Sequence, residues 1–188
     1  MSVVDRIPSR LTLACQQSLR LWQAPSTEQD QLRHGYLGHL DEHPDDGWSR
    51  TCPGAHLTAS SLVVSSDRLV LLTLHAKLRR WLQTGGHIEA DDVSLSAAAA
   101  REAEEESGLV GLALDPDPLL LSRHQLSCGD RPTFHLDVQF LLSTPVATPP
   151  VFGAESLDVR WFPYRGLPDV DTSVRDLVDA AARRLGWP

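Results

Sequence analysis

The sequence predicts an α/β fold, a mixed β-sheet covered by helices on both faces and preceded by a helical N-terminal extension. Three observations carry that expectation. Short β-rich apolar runs alternate with helix-length amphipathic segments between residues 56 and 185. Residues 1–50 are polar and read as helical. The chain has 188 residues and 41% hydrophobic side chains, the scale of one globular domain with an appendage.

In chain order, Ser26-Thr27-Glu28-Gln29 has the form of a capping box. Leu32, Tyr36, Leu37 and Leu40 follow at helical spacing, and Pro44 ends the segment. Asp41 to Trp48, with Pro44 and Gly47, is the connection between an extension over 1–50 and a main domain over 51–188. His56–Val64 and Arg68–His75 flank the polar turn Ser65-Ser66-Asp67 and read as a β-hairpin. Trp81-Leu82 then runs into a loop at Gly85-Gly86. Ser94 is placed to N-cap a helix from Leu95 to Ser107, with Gly108 at the C′ position. The alanines of that helix favour it and let it pack close to a sheet. Further strands are expected at Leu119–Leu126, Phe134–Leu142 and Val159–Phe162. A last helix over Thr172–Leu185 has Val174, Leu177, Val178, Ala181 and Leu185 as its apolar stripe.

Charge narrows the partners. The net charge is −8, and Lys77 is the sole lysine. A nucleic-acid polymer normally meets a basic stripe, so none is expected here. A small phosphorylated substrate stays compatible, because a divalent cation reverses the local sign. No apolar run reaches the ~18 residues of a transmembrane helix, and no membrane partner is expected. Met1-Ser2-Val3-Val4-Asp5-Arg6 lacks the basic start and apolar run of a signal peptide. Cys15, Cys52 and Cys128 are odd in number and widely spaced. They read as free thiols in a reducing, cytoplasmic setting.

The chemistry-bearing segment is the predicted helix. Glu102, Glu105 and Glu106 stand at steps of three and four and share one face, while Glu104 projects elsewhere. They repel one another and lie near the helix C-terminus, where the dipole disfavours anions. Alone, such a face reads as solvated. Arg101 at i,i+4 from Glu105, and the Gly85-Gly86 backbone upstream, favour an external cation instead. Oxygen donors of this kind suit Mg²⁺ or Mn²⁺ better than zinc.

Gly85-Gly86-His87-Ile88-Glu89 followed by Arg101-Glu102-Ala103-Glu104-Glu105-Glu106-Ser107-Gly108-Leu109 resembles the box of the Nudix hydrolases. The family pattern is Gly, five residues, Glu, seven residues, then Arg-Glu-apolar-any-Glu-Glu-any-Gly-apolar. The second half matches throughout. In the first half Asp92 stands in place of the first Glu, and eight residues separate it from Arg101. Trp81-Leu82-Gln83-Thr84 before the glycines and Arg160-Trp161-Phe162-Pro163 near the end extend the resemblance over about His56 to Phe162.

The resemblance implies a Nudix-type α/β/α sandwich and cleavage of a phosphoanhydride bond in a nucleoside diphosphate derivative or related nucleotide. It implies Mg²⁺ (or Mn²⁺) held by Glu105 and Glu106, with Glu102 and the carbonyl of Gly86 joining the shell. It casts Arg101 as the group that orients a glutamate. It leaves the general base either in the box or at a late-loop acid, here Glu155 in Gly153-Ala154-Glu155-Ser156. His87, in the Gly-Gly loop, is the candidate for phosphate contact. His135 and Asp137, on one side of a predicted strand, are candidates to line a pocket. His56, His75 and His124 read as strand or loop residues, because no pair of histidines in the main domain has zincin spacing. Two other functions compete. A non-catalytic nucleotide-binding or regulatory module is favoured only by the altered Asp92 position, and a prenyl diphosphate isomerase would need a cysteine–glutamate pair that Cys52 and Cys128 do not supply. The extension is expected either to cap the pocket or to build a homodimer interface.

Overall fold

The computed structural model describes residues 8–128, 131–151, 153 and 156–188. The extension folds as two helices, α1 (Arg10–Leu21) and α2 (Thr27–Glu42). Each begins on a serine whose hydroxyl accepts an amide hydrogen bond, Ser9 from Thr12 at 3.0 Å and Ser26 from Gln29 at 3.2 Å. Pro25 bars one helix from running into the next.

The strands are β1 (Ala55–Ser65), β2 (Leu69–His75), β3 (Trp81–Leu82), β4 (Thr84–His87), β5 (Ala113–Cys128), β6 (Arg131–Thr144) and β7 (Ser156–Pro163). They form one seven-stranded sheet with the path β3-β2-β1-β6-β5, β4 pairing with β1 and β7 with β2. The expected hairpin is present, but β1 and β2 pair only at its tip, Val63 with Leu71 and Val64 with Val70. Further down, β4 takes the place of β2, pairing Thr58–Ser61 of β1 with Thr84–His87. The other edge of β1 runs parallel to β6, from Ala55 beside Phe134 to Ser65 beside Thr144. That parallel pair makes the sheet mixed. β5 starts earlier than its apolar run suggested and slips register between Asp115 and Leu120, where Pro116 and Pro118 have no amide to give the ladder.

Helices α3 (Leu95–Ser107) and α4 (Thr172–Arg184) complete the fold. Leu57, Ala59 and Val63 of β1, with Leu136, Val138, Phe140 and Leu142 of β6, share a core with α1, α2 and α3. On the opposite face Leu62, Val64, Val70, Leu72 and Leu141 pack against α4. The result is the expected α/β/α sandwich. In α4, Val174, Leu177, Val178 and Ala181 are buried as the stripe predicts, but Leu185 is 40% exposed. The helix ends at Arg184 and Leu185 is its C-cap, the last position of the stripe at the helix end. Among the described residues no helix is long and apolar enough to cross a membrane.

Candidate functional site

α3 begins and ends as its caps predict. Ser94 Oγ accepts from the Ala97 amide at 3.1 Å, and Gly108 closes the helix in the left-handed region at φ 67°. Strand β4 pairs with β1, and this helix packs over both. A Cβ at Gly85 would stand 2.3 Å from Ser60 Cβ, so only glycine allows the approach. The Gly85 amide then donates to Glu106 Oε2 at 3.3 Å. A Cβ at Gly86 would meet Glu102 Oε2 at 2.6 Å, so the Glu102 carboxylate occupies the space that the missing side chain leaves.

Arg101 organises the acidic face. Its Nε and Nη2 donate to the two carboxylate oxygens of Asp92 at 3.1 and 2.9 Å. Nη1 donates to Glu102 at 2.9 Å and to Glu105 at 3.2 Å, and Nη2 also reaches the His87 carbonyl at 3.0 Å. The bidentate bond to Asp92 is the main reason that the guanidinium is held more firmly protonated than usual. Burial raises the Glu102 carboxyl above its ordinary range, with Arg101 pulling the other way. Asp92 therefore has a defined role. Its Oδ2 also accepts from the Glu89 amide at 2.8 Å, which closes the lengthened loop onto the arginine.

Glu105 and Glu104 face outward, while Glu102 and Glu106 are half-buried. Among the described residues the three box carboxylates are not gathered into one cluster. Arg101 holds two of them and the Gly85 amide the third. A face of carboxylate oxygens beside a glycine backbone with no room for a Cβ fits a hard divalent cation, which takes oxygen ligands.

The other face of β1 carries a different arrangement. His56, Thr58 and Ser60 alternate on it, ahead of the apolar Leu62 and Val64, and lie beside His135, Asp137 and Gln139 of β6. The Asp137 carboxylate accepts from Thr58 Oγ1 at 2.9 Å and Ser60 Oγ at 2.6 Å. Burial pushes the Asp137 carboxyl up, against the pull of these hydroxyls. His87, opposite Thr58 in the register, brings a third imidazole to His56 and His135. The ring centroids are 5.2 Å apart for His56–His87, 4.7 Å for His56–His135 and 5.2 Å for His87–His135. Burial, then the neighbouring imidazoles, bring His56 down to about 4 and His135 to about 3. Burial also lowers His87.

Of the residues singled out from sequence, Arg101 contacts Glu102 and Glu105, Glu102 lies against Gly86, and Glu106 is held by the Gly85 amide; His87 meets His135, while Asp137 lies on the same sheet face, bonded to Thr58 and Ser60. Glu155 lies outside the described residues. His56 belongs to this histidine set although no motif marks it. The signal was its place in the alternating polar set His56, Thr58, Ser60, which a half-buried strand directs to one face. Cys52 sits instead with His43 and Asp46, away from the box. A hollow of about 460 Å³ between α2 and the sheet, with Tyr36, His39 and Arg123 in its wall, and another of about 650 Å³ beside α4 both lie away from the box carboxylates.

A family model described as the NUDIX domain matches residues 54–185. No curated protein sequence matches the chain. Among solved structures, the NUDIX domain of Shewanella oneidensis NrtR complexed with ADP ribose is 19% identical, with a TM-score of 0.57 over 79% of this chain and 97% of that one. A C. elegans Ap4A hydrolase binary complex is 15% identical, TM-score 0.54, over 69% and 97%. The E. coli dihydroneopterin triphosphate pyrophosphohydrolase is 19% identical, TM-score 0.54, over 65% and 92%. At these identities the likeness is one of fold.

Proposed function

The chain belongs to the NUDIX family, and on that premise we propose that it is a Mg²⁺- or Mn²⁺-dependent hydrolase that cleaves a phosphoanhydride bond in a nucleoside diphosphate derivative or a related small nucleotide. The observation that best supports this reading is the set of hydrogen bonds from Arg101. One guanidinium ties Asp92, Glu102, Glu105 and the His87 carbonyl together, so the helix face and the glycine strand are held as one unit. Asp92 was the one feature that favoured a non-catalytic module. Its bidentate bond to Arg101 keeps an acid in contact with the box arginine, which supports the catalytic reading.

The roles follow from position. Glu105 and Glu106, with Glu102 and the Gly86 carbonyl, would hold the cation. When bound, it neutralises the bridging phosphate oxygens and lowers the pKa of the attacking water. Arg101 is a positioning residue, because its donors are spent on carboxylates and a carbonyl. A carboxylate takes the proton of the water as its oxygen bonds to phosphorus and the bridging P–O bond breaks. That carboxylate is a box glutamate or Glu155, and an unchanged pH–rate profile in Glu155→Gln would assign the base to the box. His87, His135 and Asp137 are proposed as the substrate side of the site, with Asp137 acting through Thr58 and Ser60. The cytoplasm is the compartment we propose, on the free, buried state of Cys15 and Cys52. Structures complexed with ADP ribose or acting on Ap4A in the same fold supply the first compounds to try.

The test is a panel of nucleoside diphosphate derivatives with and without Mg²⁺. Glu105→Gln and Glu106→Gln should each lose about 10²- to 10⁴-fold in rate, while Glu104→Gln, on the exposed side of α3, keeps it. Turnover without a divalent cation, or full rates in both variants, would sink the mechanism.

A further inference from the structure

Beyond the box, we propose that His56, His87 and His135 form a three-imidazole site for a divalent transition-metal ion of the zinc class, separate from the oxygen-ligand site on α3. Each of the three offers one ring nitrogen, and these atoms lie within 4.8 Å of one another. They come from three strands, β1, β4 and β6, that the register places side by side. His56 is 1% exposed, and neither of its ring nitrogens meets a hydrogen-bond partner; His87 Nε2 is also buried without one. Buried polar side-chain atoms are nearly always hydrogen-bonded, so orphaned nitrogens that converge need an occupant.

The chemistry of the cluster selects that occupant. An anion would need positive charge, and burial keeps His56 and His135 uncharged at neutral pH. Neutral imidazole is the form that ligates metals. Imidazole nitrogen suits zinc, copper and nickel, whereas Mg²⁺ takes oxygen. Zn–N bonds of about 2.0–2.1 Å put tetrahedral nitrogens roughly 3.3 Å apart. The cluster needs to contract by about 1.5 Å at most, within the range of side-chain rotation. Three protein ligands leave one tetrahedral position for water or an oxygen of a phosphorylated substrate. The exposed His124 ring lies 5.4 Å from the His135 ring, on the solvent side of the cluster. The site does not depend on the hydrolase reading.

Cobalt(II) titrated into chelator-stripped full-length protein tests it. One equivalent should give the intense visible absorption of a four-coordinate ion, and Zn²⁺ should abolish it. Glu105→Gln should keep the band, and His56→Ala and His135→Ala should each weaken binding at least about 100-fold, on the scale of losing a protein ligand. In the wild-type protein the ring-nitrogen NMR shifts of all three histidines should move together on adding Zn²⁺, which covers the case of a variant that does not fold. No tight binding of either ion, histidine shifts that stay in place, or a band lost with Glu105→Gln and kept in folded histidine variants would each overturn the proposal. Loss of phosphohydrolase activity alone is not a readout here, so the two readings fail separately.

Discussion

The two sides of strand β4 handle charge in opposite ways. On the α3 side, three glutamates, one exposed and two half-buried, share one guanidinium and one amide. On the sheet side, three imidazoles are held uncharged by burial, and the single carboxylate among them, Asp137, is wrapped by hydroxyls. The difference teaches where each kind of cation belongs. Hard-ion chemistry needs charge that water can reach, while neutral nitrogen donors survive in a dry interior.

The largest effect that can break this contrast is on acid stability. His56 and His135 have folded pKa values below the ordinary 6.5. Below pH 6.5 the unfolded chain binds more protons, so stability is lost as pH falls from about 6.5 toward the folded values. For His56, a drop to about 4 corresponds to about 3 kcal/mol. Asp137 has the opposite sign. Its folded pKa lies above 3.8, so its cost is absent in acid and appears as pH rises past that value. Denaturant melts between pH 4 and 7 should show a flatter acid limb in His56→Asn and a steeper one in Asp137→Asn. Unchanged slopes would mean that the interior is not dry.

On the charged side, Arg101→Lys keeps the charge and loses the planar fork. Mg²⁺ affinity should fall about 10- to 100-fold, as for loss of a group that orients metal ligands. Wild-type affinity by calorimetry would show that the glutamates need no organiser. The boundary between the two sides is next. Gly85→Ala drives a Cβ into Ser60 and should cost about 2 kcal/mol in a melt. Gly86→Ala meets only the far end of the Glu102 side chain, which can give way at the expense of its bond to Arg101, so its loss should be smaller than that of Gly85→Ala. Equal losses would mean that β4 is not wedged against β1. The smallest effect is Ser94→Ala, about 1 kcal/mol, because it removes one cap hydrogen bond from α3.

The same contrast explains what the sequence could disclose. The bounds of α3, its caps and its acidic face depend on residues within a few positions of each other, and they were readable from spacing and propensity. The α/β/α layering followed from the order of periodic segments. The partners of β1 did not, since its parallel pairing with β6 joins residues some eighty positions apart and leaves no local mark. The imidazole cluster inherits that difficulty. His56, His87 and His135 are each ordinary in their own strand and become a set only through register. The division of the extension into α1 and α2 was visible in Pro25 but was obscured by the polar composition around it.

The bidentate bond between Asp92 and Arg101 also bears on how this chain tolerates change. It anchors the connection between β4 and α3 at one fixed point, with the Glu89 amide clasped to the same carboxylate. The length of chain on either side of that anchor is then free to drift. One residue more or a shorter acid is absorbed, provided that a carboxylate still reaches the guanidinium. The stretch 88–94 is thus a natural insertion point, and a pattern that demands fixed spacing there would reject sequences that keep the Asp92–Arg101 anchor.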